Sequence, residues 1–448
     1  MRREIDFTEG KILGPLLMFV FPVLFAMFLQ SMYGAVDLLV VGKFAGAEDV
    51  SAVSTGSQIM MTLTNLVGGL AMGLTVFLGQ KIGEKDHEGG GRIIETGILF
   101  FLLIGAVLTA AVPLLAPFFA GTLQAPPEAY TRTVSYIRIC GAGSIVIIGY
   151  NLIGSIFRGI GDSGTPLLTV AIACVCNIAG DLLLIAGFHM GARGAAIATV
   201  FAQMISVVIS CALISRRTLP FTFDRRKMKL RGNIVRKILL IGTPIALQDL
   251  LVGISFLVIL GIVNGLGLTA SAGVGVAEKV CAFIMLVPAA FMQAMSAFVA
   301  QNRGAGKPER AFRGLQYAIA VSVLFGVTMF YVSFFHGDLL SGIFAKDADV
   351  ILASADYLKA YAIDCLLTCF LFCFIGYFNG MGSTRFVMIQ GIIGAFLVRV
   401  PVSFLMSRWE PVSLFHIGLA TPCSTILQII LCAGFMLAQK MSHRDVVC

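Results

Sequence analysis

Twelve apolar stretches of roughly 20 residues or more run along this chain, at about 13–40, 52–80, 93–119, 132–157, 164–187, 193–215, 237–265, 270–300, 311–335, 353–378, 386–407 and 414–438. A helix needs about 20 apolar residues to cross a hydrocarbon layer ~30 Å thick, and in lipid the backbone must satisfy its own hydrogen bonds. Each stretch therefore reads as a spanning helix, and the chain as an all-α integral membrane protein. Its 12% charged residues lie well below the ~25% of a soluble chain. Abundant Gly (49) and Phe (35) suit close helix packing in lipid. Arg2, Arg3 and Lys11 precede the first apolar run, but that run continues to spanning length without a small-residue cleavage site, so it reads as a span and not as a signal peptide.

The loops orient the chain. Loop 81–92 carries Lys81, Lys85 and Arg92, and loop 301–313 carries Arg303, Lys307, Arg310 and Arg313. The connection 216–237 holds only one acid, Asp224, among many Arg and Lys. With twelve spans these loops share a side with both termini, while the opposite loops hold Glu48, Asp49, Glu128, Asp338 and Asp347. The positive-inside rule then places both ends in the cytoplasm of an inner-membrane protein. The net charge of +8 is loop charge and not a nucleic-acid footprint.

A repeat runs through the sequence. Tyr136 and Tyr357, Phe157 and Phe378, Gly159 and Gly380, and Gly161 and Gly382 all recur at about the same lag, near 221 residues, so "FRGIG" answers "FNGMG". Gln80 and Gly83 map to Gln301 and Gly304; Pro22 and Pro244, and Gly194 and Gly418, fit within a few residues of it. The expectation is an amino-terminal six-helix lobe at 1–215, a basic linker at 216–236, a carboxy-terminal lobe at 237–440 and a cytoplasmic tail at 441–448. Six is even, so the repeats are parallel, an arrangement used by transporters. Pro22 and Pro244 supply matched points for helix bending.

Ionisable groups inside spans cost about 2.5–3.5 kcal/mol even on insertion scales. The candidates are Asp37, Glu95, Asp181, Asp249, Glu278, Lys279, Asp364 and Arg399. Glu95 lies near a span end, Glu278 and Lys279 are adjacent, and Asp364 and Arg399 read as a structural ion pair. Asp37 and Asp181 stand apart. Both fall late in outward-running spans, at similar depth. Asn177 precedes Asp181 by one helical turn and shares its face, and Thr199, early in the descending sixth span, reaches the same level. The repeat supplies a control: the counterparts are Ile259, Val398, Val402 and Cys423, all without carboxylate, amide or hydroxyl. Polarity confined to one half favours a functional site over scaffold. Its oxygens suit a hard cation such as Na⁺, and two close carboxylates resist double ionisation and so can hold a proton. Cys365, Cys369 and Cys373 form one helical stripe with no metal-ligand partner nearby, and read as packing residues.

At these residues the chain resembles the multidrug and toxic compound extrusion (MATE) family of cation-coupled antiporters over essentially its whole length. "VDLLVVGKFAG", "GQKIGEKD", "FRGIGDSGTP", "AQNRGAGKPERA" and "CNIAGDLLL" followed by "GARGAAIATVFAQ" carry the likeness. Asp37, Asn177, Asp181 and Thr199 stand where the DinF-like branch places its cation-linked residues. The chain departs from the NorM-like branch, reading "NGMGSTR" with Ser383 where that branch has an acid. The resemblance implies a V of two six-helix lobes exporting amphipathic, often cationic compounds in exchange for H⁺ or Na⁺. It implies no other cofactor, no enzymatic activity, small-molecule and lipid partners, no nucleic acid, and a monomer. Met27, Gln30, Tyr33, Gln248, Asp249, Phe256, Met285 and Met292 are candidates to line a substrate cleft, since Met and aromatic surfaces adapt to flat cations. The alternative transport reading is a flippase of lipid-linked oligosaccharides, which calls for basic residues along its cleft. An aspartyl protease built on Asp37 and Asp181 lacks any accompanying catalytic motif.

Overall fold

The computed structural model describes residues 5–215, 221 and 228–444, with side chains as far as Lys440. Most of the expected linker at 216–236, and the tail beyond Arg444, lie outside the described residues. Among those described, every regular element is helical. Eleven helices are long and apolar enough to span, and a twelfth span is a bent pair. In chain order they are α1 Leu13–Phe44, α2 Ala47–Gly83, α3 His87–Thr122, the bent α4 Pro127–Ala142 plus Ser144–Ile160, α5 Gly164–Gly187 and α6 Gly191–Ser215. Then follow α7 Gly232–Asn264, α8 Leu268–Gly304, α9 Pro308–Phe335, α10 Ala348–Gly380, α11 Thr384–Met406 and α12 Leu414–Lys440. The twelve expected spans map one to one onto these elements.

The helix ends follow capping chemistry. Asp86 accepts the Gly89 N–H at 2.8 Å, opening α3, and Asp347 accepts the N–H groups of Asp349 and Val350 ahead of α10. The Gly89 N–H, and then the Lys81 ammonium, hold the Asp86 carboxyl below the usual carboxylate range. The two halves of α4 meet at 53°. There the Ile145 N–H, freed from the ladder, donates to the Thr109 hydroxyl of α3 at 3.1 Å, so a side chain from a neighbour sustains the bend.

Contacts divide the chain into two compact units. Unit 1 comprises Met1–Glu9, Leu17–Ala246 and Ala300–Gly306, and unit 2 comprises Gly10–Leu16, Leu247–Val299 and Lys307–Cys448. The division falls inside α7, and small residues explain why. Gly69 and Gly73 of α2 lie against Gly242 and Ala246 of α7 so closely that a Cβ on Gly69 would stand 2.6 Å from the Ala246 backbone. Two small-xxx-small stripes thus bring the backbones together, and the first half of α7 joins α2. A second close approach places Ala300–Gly306 in unit 1. A Cβ on Gly83 would meet the Gln301 carbonyl at 1.9 Å, and one on Gly304 would meet the Gln80 carbonyl at 1.9 Å. The residues paired by the repeat, Gln80 with Gln301 and Gly83 with Gly304, pack reciprocally on one another.

Among its described residues, unit 1 holds at least two apolar clusters. One gathers Leu74, Leu78, Phe101 and Phe157; a second gathers Val40, Val41, Val53, Tyr136, Ile185 and Ala195. The core of unit 2 centres on Val263, Val274, Tyr357 and Tyr361. Cys365, Cys369 and Cys373 are buried along α10, and the Cys369 thiol donates to the Cys365 carbonyl at 3.2 Å.

Candidate functional site

Four side chains from three helices of unit 1, expected only at a common depth, also come together laterally. Asp37 comes from α1, Asn177 and Asp181 from α5, and Thr199 from α6. Asp37, Asn177 and Asp181 are 5%, 1% and 0% exposed. The Thr199 hydroxyl lies 3.3 Å from Asp37 Oδ2 and accepts from the Asn177 amide at 3.5 Å. Its oxygen is also 3.0 Å from the Ala195 carbonyl one turn back, a common resting place for a helical threonine's single proton. The Asp37 carboxyl faces Asp181 directly, with Asn177 and Thr199 alongside. Asp181 stands where α5 changes from α to π winding, over Leu182–Gly187, a local irregularity that recurs at functional sites.

The polar accounting is lopsided. Asp37 Oδ1, Asn177 Oδ1 and both Asp181 oxygens are buried and receive no hydrogen bond from any described donor. Native interiors leave few such atoms. Hard carboxylate, amide and hydroxyl oxygens suit Na⁺, and a proton shared between the facing carboxyls would satisfy one oxygen of each. Among the described residues no group of three or more His, Cys, Asp or Glu gathers to hold a metal; the acidic content here is two carboxylates. Other titratable groups within electrostatic reach of Asp37 are Tyr33, Tyr136, Cys140 and Cys174.

Beside the carboxyls is a cavity of about 10 Å³ lined by Tyr33, Tyr150, Asn177, Thr199 and Gln203 among others, close to the room one water molecule needs. The Gln30 amide donates to the Tyr150 hydroxyl at 2.8 Å, and the Gln203 amide lies beside the Tyr33 hydroxyl. Gln30 and Tyr33 were singled out in the sequence; Tyr150 and Gln203 were not. Gln203 was findable, since it follows Thr199 by one turn on α6. Tyr150 carries no such signal, because an isolated tyrosine in an apolar run reads as core.

The remaining substrate candidates divide between the units. Met27 is half-buried on α1 in unit 1, whereas Gln248, Asp249, Phe256, Met285 and Met292 belong to unit 2. Gln248 is buried against Gly391, and Asp249 is exposed on α7. Phe256 lies under the Arg399 guanidinium, 4.4 Å from ring centre. Met285 accepts from the Thr368 hydroxyl at 3.7 Å, and the Met292 carbonyl accepts from the Ser296 hydroxyl at 2.9 Å. One expectation is corrected. Asp364 and Arg399 make no ion pair among the described contacts. Asp364 instead accepts from Thr425 at 2.6 Å, and Arg399 donates to the Ser255 hydroxyl at 3.3 Å. Glu95, expected near an interface, is paired with Arg231 at 2.9 Å.

A family model named MatE matches residues 22–183 and again residues 244–405, two copies separated by the lag of the internal repeat. The chain is 26% identical over 415 residues to the probable multidrug resistance protein YpnP of Bacillus subtilis (strain 168), covering 91% of each chain. It is 23% identical over 401 residues to the multidrug export protein MepA of Staphylococcus saprophyticus, covering 90% of this chain and 88% of that one. It superposes with a TM-score of 0.91 on a solved structure described as the outward-facing conformation of a multidrug resistance MATE family transporter of the MOP superfamily. That likeness spans 98% of this chain and 99% of the other at 19% identity, and bears on fold alone.

Proposed function

The chain belongs to the multidrug and toxic compound extrusion (MATE) family of multi-pass membrane transporters, and from that premise we propose that it exports amphipathic, often cationic small molecules in exchange for an inward-moving H⁺ or Na⁺ bound by Asp37, Asn177, Asp181 and Thr199. The observation that carries this reading is the unbalanced cluster of unit 1: two facing carboxylates and four buried oxygens with no described donor. Two unit charges about 4 Å apart repel by about 4 kcal/mol at an effective dielectric near 20. A cation or proton entering from outside removes that repulsion and lets α1 close on α5 and α6. Its departure on the other side restores the repulsion and drives α1 away again. The energy is adequate, since one charge falling through 100 mV supplies about 2.3 kcal/mol.

The names of the relatives support drug-like substrates, and the loop charges support cytoplasmic termini. The proposed working state is a monomer in lipid, as the resemblance implies. A flippase of lipid-linked oligosaccharides is not favoured, because the unsatisfied cluster of unit 1 is acidic and repels a diphosphate. The test is efflux of ethidium from liposomes containing the purified protein, under a Na⁺ gradient alone and under a pH gradient alone. Efflux driven by one gradient and lost in Asp37→Asn and Asp181→Asn supports the reading. Undiminished transport in both variants overturns it.

A further inference from the structure

Another buried acid of unit 1, Asp49 in the first turn of α2, takes no part in the cluster above but touches the elements that build it. It is 7% exposed. Its Oδ1 accepts the backbone N–H of Ala192 at 2.9 Å, so it caps the start of α6 from another helix. Its Oδ2 is held by Arg132 of α4, which also pairs with Glu48 at 2.6 Å. The carboxylate lies so close to Gly191 that a Cβ there would stand 2.4 Å from Asp49 Oδ1, and Gly191 has φ +54°.

The geometry below this knot matters. Asp49 follows α1, the helix of Asp37, by a short turn, and Ala192 precedes Thr199 by two helical turns on α6. Gly194 packs on Leu184 and Ile185 of the π segment that follows Asp181. Val40, Val41, Ala52, Val53, Ile185, Ala192, Ala195 and Ala196 form one buried cluster. The Asp49 contact thus pins the first turn of α6 to the α1–α2 junction directly above the apolar packing that joins the three site-bearing helices. We propose that Asp49 is a positioning residue for the coupling site, fixing the height of α6 so that the Thr199 hydroxyl meets Asp37. This rests on the coupling role of Asp37 proposed above. Asp49 itself binds no ion, because its oxygens are already occupied by Arg132 and the Ala192 N–H.

The experiment uses the full-length protein in liposomes and reads ethidium efflux against the concentration of the driving ion, Na⁺ at fixed pH and H⁺ at fixed Na⁺. Asp49→Ala, Asp49→Asn and Gly191→Ala are compared with wild type and Asp37→Asn, each with its melting temperature in detergent. Asp49→Ala is expected to raise the ion concentration for half-maximal efflux about 10-fold, the loss typical when a group that orients a ligand is removed, with the rate at saturating ion kept. Asp49→Asn, whose amide oxygen still accepts from Ala192, is expected to recover part of that shift. Gly191→Ala, which pushes the contact apart from the other side, is expected to reproduce it, and it carries the test if Asp49→Ala does not fold. An unchanged midpoint in the folded Asp49 and Gly191 variants, with Asp37→Asn inactive, overturns the positioning role alone. Retained ion-driven efflux in Asp37→Asn overturns the coupling reading and this inference with it.

Discussion

Each unit buries an acid at membrane depth, and the two are balanced differently. In unit 1, Asp37 and Asp181 face one another and share only an amide and a hydroxyl. In unit 2, Asp364 is bonded to Thr425 and lies within electrostatic reach of Arg399, whose guanidinium stacks on Phe256 and donates to Ser255. A π turn adjoins the charged residue in both: it follows Asp181 in α5, and it ends at Arg399 in α11. Similar local geometry therefore carries opposite electrostatics. Where the protein holds its own cation nearby, the acid reads as scaffold; where no described cation is near, one is proposed to arrive from outside.

The largest expected effect separates the two acids by function. Asp37→Asn and Asp181→Asn should abolish ion-driven ethidium efflux while melting no lower than wild type, because each removes an uncompensated charge whose burial costs stability. Asp364→Asn should keep ion-driven efflux. Loss of coupling in Asp364→Asn, at wild-type melting temperature, would break the contrast.

Next is Arg399→Gln, read by thermal denaturation in detergent. Removing one member of a directly bonded buried charge pair costs about 3–5 kcal/mol. A smaller loss, about 2 kcal/mol, is expected here, because Arg399 acts on Asp364 only at a distance and Thr425 continues to hold the carboxyl. An unchanged melting temperature would mean that Arg399 balances nothing.

How much of this was legible depends on what each residue contrasts with. Asn177 and Asp181 stood out as polar groups one turn apart in an apolar run, and Asp37 and Thr199 matched them in depth, but that the four meet laterally was not readable from periodicity. The partner of Asp364 was misread because sequence offers charge as the evident answer to charge. A threonine is common in apolar helices, so Thr425 gave no sign that its hydroxyl would take the carboxylate. The reach of Asp49 to Ala192 joins residues 143 apart, a relation no periodicity encodes. The division inside α7 was written in Gly69, Gly73, Gly242 and Ala246, but two small-residue stripes become a contact only when the helices are known to cross. The repeat predicted which residues correspond; it could not foretell that Gln80–Gly83 and Gln301–Gly304 would touch each other.

A comparable effect sharpens the comparison through its hydroxyls. Thr425→Val removes a 2.6 Å hydrogen bond to a carboxyl and should cost about 2 kcal/mol of stability. Thr199→Val removes a longer contact, 3.3 Å, from a cluster already short of donors. It should leave the melting temperature nearly unchanged and instead raise the ion concentration for half-maximal efflux. Equal melting losses in the two variants would mean that both hydroxyls are scaffold.

The smallest expected effect bears most directly on how unit 2 balances itself. Arg399 has five N–H donors, yet its Nε is buried without a described acceptor, so the face of Phe256 at 4.4 Å is a principal source of its compensation. Phe256→Leu keeps an apolar side chain and the Ser255 contact while removing the ring, and should cost about 1 kcal/mol. Because a smaller core side chain also loses packing, the discriminating measurement is a double-mutant cycle with Arg399→Gln. If the ring stabilises the guanidinium, Phe256→Leu costs about 1 kcal/mol less once Arg399 is gone. A coupling near zero would leave Arg399 as poorly served as the carboxylates of unit 1. The second cluster would then also be looking outside the chain for a counter-charge, and the scaffold reading of Asp364 would fall.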